Sequence, residues 1–220
     1  MNKKGFAKYL DFANHHQDAT PDEIKVLCQK VRKYGFHSAF VNQCYIGLAK
    51  EILGNLAAVG TVVSFPLGQD LRDIKILAAV EASRKGADEL DVSLNVGMFL
   101  AGKQKEVLEE SRAIVESAKS VKPKVLVKFI IETGLLTDDQ IKKASQLVLD
   151  SGADFVKTCS GLGPRGATVK DVELIKSIVA DKIMIKVAGG ITNYKQAEAF
   201  IKAGAHRIGT SHAVEIIEAA

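Results

Sequence analysis

Four ionisable side chains interrupt otherwise apolar, β-branched text. They are Asp91 in Leu90-Asp91-Val92-Ser93, Lys128 in Val127-Lys128-Phe129-Ile130, Lys157 in Phe155-Val156-Lys157-Thr158, and Lys186 in Met184-Ile185-Lys186-Val187. One lysine in a strand is ordinary, because its stem can lie along apolar surface while the ammonium reaches water. Three lysines and an aspartate on successive strands are not. Alternation lets all four point to one side of a sheet, where charges are costly unless paired or functional. Crowding by like charge and desolvation both disfavour the ammonium form. A free lysine, with pKa ~10.4, is almost never neutral at pH 7, and lowering that value by about 3 units makes a useful fraction nucleophilic. The chemistry such a cluster offers is imine formation with a carbonyl compound.

A second signal concerns anions. One apolar run ends in Ala188-Gly189-Gly190, and another ends in Gly209-Thr210-Ser211-His212 ahead of a last helix. Glycines let backbone N–H groups approach an oxyanion, and a helix start adds its dipole. In a (β/α)8 barrel, phosphate is often held by the loops after the seventh and eighth strands. The two segments predict a phosphate site there.

The elements that must position these groups alternate along the chain. Strand-like runs occupy Tyr9 to Ala13, Ser38 to Asn42, Ala58 to Phe65, Glu89 to Leu94, Val125 to Glu132, Phe155 to Thr158, Ile183 to Ala188 and His206 to Gly209. Between them, apolar residues recur at helical spacing in Pro21 to Tyr34, Asp70 to Lys85, Lys103 to Val121, Thr137 to Ser151, Val169 to Ala180 and Tyr194 to Ala203. Thr20-Pro21-Asp22-Glu23 and Thr137-Asp138-Asp139-Gln140 read as capped helix starts. Gly86-Ala87-Asp88, Gly152-Ala153-Asp154 and Gly204-Ala205-His206 read as helix stops before the next strand. Eight βα units in 220 residues predict one α/β domain over residues 1–220, a (β/α)8 TIM barrel. The alternative is an open doubly wound sheet, but the Gly-rich turn expected after its first strand is missing.

Composition narrows the function classes. Apolar residues make up 47% and charged residues 25%, the balance of a soluble globular chain. No apolar run reaches the length of a membrane span and no leader is read, so a cytoplasmic location without membrane contact is expected. The net charge of +4 is spread over helix faces without an aromatic platform. That argues against nucleic acid and suits a small anionic substrate. Cys28, Cys44 and Cys159 match neither a disulfide framework nor a zinc site. Cys28 is expected in the core, and Cys159 has no His/Asn partner that would make it a nucleophile. His15-His16 reads as exposed loop, and no metal cluster is expected.

The chain resembles the deoxyribose-phosphate aldolase family over residues 8 to 217. Carrying the similarity are Phe65-Pro66-Leu67-Gly68, Gly86-Ala87-Asp88-Glu89-Leu90-Asp91 and Lys128-Phe129-Ile130-Ile131-Glu132-Thr133. Val156-Lys157-Thr158, Gly166-Ala167-Thr168-Val169, Lys186-Val187-Ala188-Gly189-Gly190-Ile191 and Arg207-Ile208-Gly209-Thr210-Ser211 complete it. The resemblance implies a class I aldolase that joins acetaldehyde to D-glyceraldehyde 3-phosphate, giving 2-deoxy-D-ribose 5-phosphate, with no cofactor or metal. It implies Lys157 as imine nucleophile, Lys186 as the charge that depresses its pKa, and Asp91 as a proton relay. Lys128, Thr158 and Asp11 would bind substrate, and Gly189, Gly190, Gly209 and Ser211 would hold phosphate. The partner implied is a small phosphorylated sugar or aldehyde; homo-oligomers are common in the family.

Four stretches depart from the family pattern. Asp11-Phe12-Ala13 stands where Asp-His-Thr is usual, Phe40 where cysteine is common, and His212 where a small residue closes Gly-Thr-Ser-Ser. Pro164-Arg165 replaces small or polar residues in the loop after the Schiff-base strand. The expectation is retained imine chemistry with an altered acceptor pocket. Phe40 narrows or dries it if it points inward, and Arg165 and His212 either add positive charge near the anion or lie in solvent. Three readings stay open beside this one: a barrel Schiff-base lyase for another short aldehyde or keto phosphate, a ligand-binding barrel with weakened turnover, and a phosphate-binding isomerase without an imine.

Overall fold

In the computed structural model, which describes residues 2–220, the alternation of strands and helices closes on itself. The elements run α1 (Lys3–Ala7), β1 (Leu10–Asn14), α2 (Pro21–Tyr34), β2 (Ser38–Val41), α3 (Ile46–Leu53), β3 (Ala58–Val63), α4 (Arg72–Arg84), β4 (Glu89–Ser93) and α5 (Val96–Leu100). Then follow α6 (Gln104–Val121), β5 (Leu126–Ile130), α7 (Asp138–Asp150), β6 (Phe155–Lys157), α8 (Val169–Val179), β7 (Met184–Ala188), α9 (Tyr194–Ala203), β8 (Arg207–Thr210) and α10 (Ala213–Glu218). The strands form a closed barrel in sequence order. Closure is made by parallel pairing of β1 with β8, in the register Leu10↔Ile208 and Asp11↔Gly209.

Local chemistry explains the boundaries. Thr20 and Thr137 cap their helices as predicted, each forming a capping box, with Glu23 and Gln140, and a third box joins Thr168 to Asp171. Gly35 and Gly204 end α2 and α9 in the left-handed region, at φ 70° and 118°. β3 stops short of Phe65 because Ser64 turns the chain at φ 54°, and β5 is followed by Glu132 at φ 50°. Helices α1, α3 and α5 were not among the predicted stretches; at 5, 8 and 5 residues they are too short to show a clear apolar period.

The Gly-Ala-Asp punctuation has a second role that only the fold reveals. Asp88 Oδ2 accepts the backbone N–H of Val59 at 2.9 Å, and Asp154 Oδ2 accepts that of Val127 at 2.8 Å. His206 Nδ1 does the same for Ile185 at 3.1 Å. Each residue at the foot of one strand thus satisfies a donor on the strand before it, at the end of the barrel opposite the mouth.

Alternation divides each strand between two layers. Leu90, Val92, Val127, Phe129, Val156, Ile185 and Val187 join the apolar core under the helices. Asp91, Lys128, Lys157 and Lys186, all buried, turn into the barrel and meet one another there. None of the described helices is long and apolar enough to cross a membrane.

Candidate active site

Asp91 is the hub of the interior cluster. Its Oδ2 accepts from Lys157 Nζ at 2.7 Å and lies 2.9 Å from Lys186 Nζ, while its Oδ1 is 3.3 Å from Lys128 Nζ. Lys186 also pairs with Asp11 Oδ2 at 2.7 Å, and the other Asp11 oxygen accepts from Ser38 Oγ at 2.6 Å. Lys128 pairs in addition with Glu89, which meets His37 Nε2 at 2.7 Å. Three ammonium groups are therefore balanced by three carboxylates, which is what allows so many charges to be buried together.

Strand register sets their heights. Lys157 is level with Lys186, whereas Lys128 is level with Asp91 on one side and with Phe155 on the other. Lys128 therefore sits one pleat deeper than Lys157. Its side chain is fully buried, with its ammonium 4.8 Å from the Phe40 ring centre and 5.2 Å from that of Phe155.

The charges respond differently to burial. Desolvation lowers the pKa of Lys157, and Lys186 and Lys128 add to that against the opposing pull of Asp91. Burial pushes Asp91 up, but Lys157, Lys186 and Lys128 outweigh it and hold the carboxyl well below the usual range. Lys128 is driven the other way: burial opposes its charge, yet Glu89, Asp91 and Asp11 raise its pKa above normal. Lys157 is thus prepared to lose a proton, while Lys128 is locked as an ammonium.

Above the cluster opens a cavity of about 250 Å³. Its floor contains Lys157, Lys186, Asp91 and Phe40, and its walls include Phe65, Ala13 and His15. Gly189, Gly190, Gly209, Ser211 and His212 line the side formed by the ends of β7 and β8. Gly209 has a packing reason as well: a Cβ there would lie 3.0 Å from Cε of Lys186.

Several expected contacts are corrected. Lys128 and Asp11 do not line the cavity; they hold Asp91 and Lys186 from below. Thr158 is equally withdrawn, its hydroxyl bonded to the Ala188 backbone N–H and C=O, both at 3.1 Å. Arg165 does not line the cavity. Its guanidinium grips Asp171 at 2.7 and 3.0 Å and donates to Thr133 O, so it fastens the loop after β6 to α8. His15, read from sequence as exposed loop, instead lines the cavity; the residue directly after β1 turns inward at the barrel mouth. Its position just past a strand end was the signal available.

Phe40 points inward, and its ring centre lies 3.3 Å from Lys186 Nζ. The space for that ring is made by Gly60 on the adjacent strand, where a Cβ would come within 2.2 Å of Phe40 Cζ. Gly60→Ala is therefore expected to cost about 1–3 kcal/mol through overpacking. Thermal melts should show the loss, and adding Phe40→Ala should recover most of it.

Among the described residues, the remaining clusters are already paired or packed. Asp11, His37 and Glu89 bring ligand atoms within 4.8 Å of one another. Two of the three already carry the ammonium groups of Lys186 and Lys128, which a divalent cation would have to face. Cys28 is buried in the core, where desolvation pushes its thiol to about 11. Cys159 lies 3.1 Å from Thr133 Oγ1, and burial raises its pKa too, which suits a packed thiol and not a nucleophile.

Comparison with known proteins gives one consistent answer. The model of the DeoC/LacD family aldolases matches residues 5–211. A deoxyribose-phosphate aldolase of Caldicellulosiruptor saccharolyticus is 45% identical over 218 residues, covering 99% of each chain. One from Caldanaerobacter subterraneus subsp. tengcongensis is 43% identical over 213 residues, 96% of this chain and 92% of the relative. Among solved structures, the aldolase QR15 superposes with a TM-score of 0.92 at 37% identity, over 97% of this chain and 94% of that one. The deoxyribose phosphate aldolase of Aeropyrum pernix gives 0.91 at 29% identity, covering 99% of this chain and 91% of the other.

Proposed function

Because this chain belongs to the DeoC/LacD aldolase family, we propose that it reversibly cleaves 2-deoxy-D-ribose 5-phosphate to D-glyceraldehyde 3-phosphate and acetaldehyde through an imine on Lys157. The observation that carries this is the state of Lys157: at the cavity floor, nearly dry, with a lowered pKa, and bonded to a carboxylate that a second lysine shares. In the cleavage direction the free amine adds to the C1 aldehyde of the open-chain sugar. That adduct takes up a proton and loses water, which gives a protonated imine. The imine draws the electron pair of the C2–C3 bond as the C3 hydroxyl loses its proton, which releases the phosphorylated aldehyde and leaves an enamine. Protonation of the enamine at C2 and hydrolysis free acetaldehyde and restore the amine.

The neighbours divide the remaining work. Asp91 rests as a carboxylate, so it receives protons only in passing while orienting Lys157 and Lys186 from one oxygen. Lys186 supplies a like charge that helps keep Lys157 neutral. Asp11, Ser38, Glu89 and Lys128 act through these groups by fixing their positions. Gly189, Gly190, Gly209 and Ser211 form the end of the cavity assigned to phosphate.

That assignment makes a direct prediction. Ser211→Asp places a negative charge at the cavity rim and should raise KM for the phosphorylated sugar about tenfold. KM for unphosphorylated 2-deoxyribose should change far less. Equal effects on both would remove phosphate from that end.

A second reading, a Schiff-base lyase for another short aldehyde phosphate, is favoured by Phe40 and Ala13 in the cavity lining. Coupled assays comparing 2-deoxyribose 5-phosphate with other short deoxy sugars and their phosphates separate the two. A clear preference for 2-deoxyribose 5-phosphate supports the first reading, and a preference for a different phosphate supports the second.

A further inference from the structure

His15 follows β1 directly, and its ring lines the same cavity as Lys157. It stands edge-on to Phe40, with ring centres 6.3 Å apart at 84°, and tilted against Phe65 at 5.5 Å and 50°. Phe65 in turn lies beside the amine, its ring centre 5.8 Å from Lys157 Nζ. Two aromatic walls therefore hold the imidazole close to the reacting group. Its Nδ1 is buried and meets no hydrogen-bond partner. Buried polar atoms are rarely left so, because the lost hydration is not returned unless a ligand or water supplies it.

The surroundings keep the ring uncharged. Burial, then Lys157 and Lys186, lower its pKa to about 3, against Asp91 and the Asn42 amide. A neutral imidazole carries one N–H donor and one bare nitrogen acceptor, the pair that suits a hydroxyl. Other polar groups at the floor are already committed, since Asp91 and Lys186 are held by ion pairs and Ala13 has no polar side-chain atom.

We propose that His15 is the hydrogen-bond partner of a hydroxyl on the acceptor half of the substrate, the half that carries the phosphate. The inference rests on the aldolase reading above. Two oxygens share this chemistry: the one at C3, which is the aldehyde oxygen of the acceptor in the synthetic direction, and the C4 hydroxyl. His15 is a positioning and specificity residue in this account, and Lys157 remains the group that bonds the substrate.

The test uses His15→Leu, which removes both nitrogens, and His15→Gln, which returns a donor and an acceptor. His15→Leu should lower kcat/KM for 2-deoxyribose 5-phosphate at least about tenfold, with the melting temperature of the unliganded protein equal or higher. His15→Gln should recover most of the activity. Borohydride trapping of acetaldehyde on Lys157 should be unchanged in both variants, because acetaldehyde has no acceptor half. Repeating the kinetics with the 4-deoxy analogue assigns the oxygen: a loss confined to the natural sugar places His15 on the C4 hydroxyl, and a loss with both places it on C3. Activity of His15→Leu within twofold of the parent overturns the proposal, as does a Gln variant no better than Leu. If the parent protein itself fails to trap acetaldehyde, the aldolase reading falls and the role of His15 falls with it.

Discussion

Lys157→Leu is expected to reduce cleavage of 2-deoxyribose 5-phosphate on the order of 10³-fold or more, because the reaction loses its covalent electron sink. The fold should survive. Asp91 keeps Lys186 at 2.9 Å and Lys128 at 3.3 Å, so no buried carboxylate is left without a cation. Removing an ammonium from a dry site also relieves its desolvation. Steady-state kinetics beside a thermal melt should therefore show inactivity with an equal or higher melting temperature. Substantial residual turnover would mean that another group does the chemistry.

Lys186→Leu is expected to act on both stability and pH dependence. Asp11 depends on Lys186 for its ion pair and would keep only the Ser38 hydroxyl. An uncompensated buried charge of this kind costs about 3–5 kcal/mol, and Asp11→Asn in the same chain should restore most of it. The pH effect follows from Lys157, which attacks as the free amine, so activity rises with pH as that amine deprotonates. Burial is the first cause of its lowered pKa and Lys186 lowers it further, while Asp91 raises it. Without Lys186 the like charge is gone and Asp91 is freer to hold the ammonium. Both changes raise the pKa of Lys157. The rising limb of kcat/KM against pH should move to higher pH, with activity at neutral pH reduced. A limb that stays in place in the stability-rescued double variant would remove Lys186 from this role.

Much of this architecture was legible in the sequence, because the cues were local and repeated. The eight apolar runs, the capped helix starts at Thr20 and Thr137, and the glycine stops each reflect backbone chemistry that acts within a few residues. Lys157, Lys186 and Asp91 stood out because a charge inside β-branched text needs an explanation. What could not be read was height within the barrel. Alternation says that Lys128 points inward, but only strand register puts it a pleat below Lys157, out of reach of the cavity. Arg165 failed for a related reason. Its loop position matched the anion end, yet its partner is Asp171, six residues on, and a guanidinium already paired is not available to phosphate.

His15 shows the converse. A histidine beside a second histidine after a strand carries no periodicity, and its packing comes from Phe40 on β2 and from Phe65 just past the end of β3. The interior position of Phe40 was likewise conditional until Gly60 showed where its ring goes. Contacts of this kind join residues far apart in the chain and leave no local pattern.

In the proposed mechanism a substrate carbonyl bonds to Lys157 Nζ. Borohydride reduction in the presence of acetaldehyde or 2-deoxyribose 5-phosphate, followed by peptide mass mapping, tests it most directly. A stable two-carbon adduct with acetaldehyde is expected on the peptide containing Lys157, and none in Lys157→Leu. No adduct in the parent protein, or an adduct that forms equally well in the variant, would contradict it.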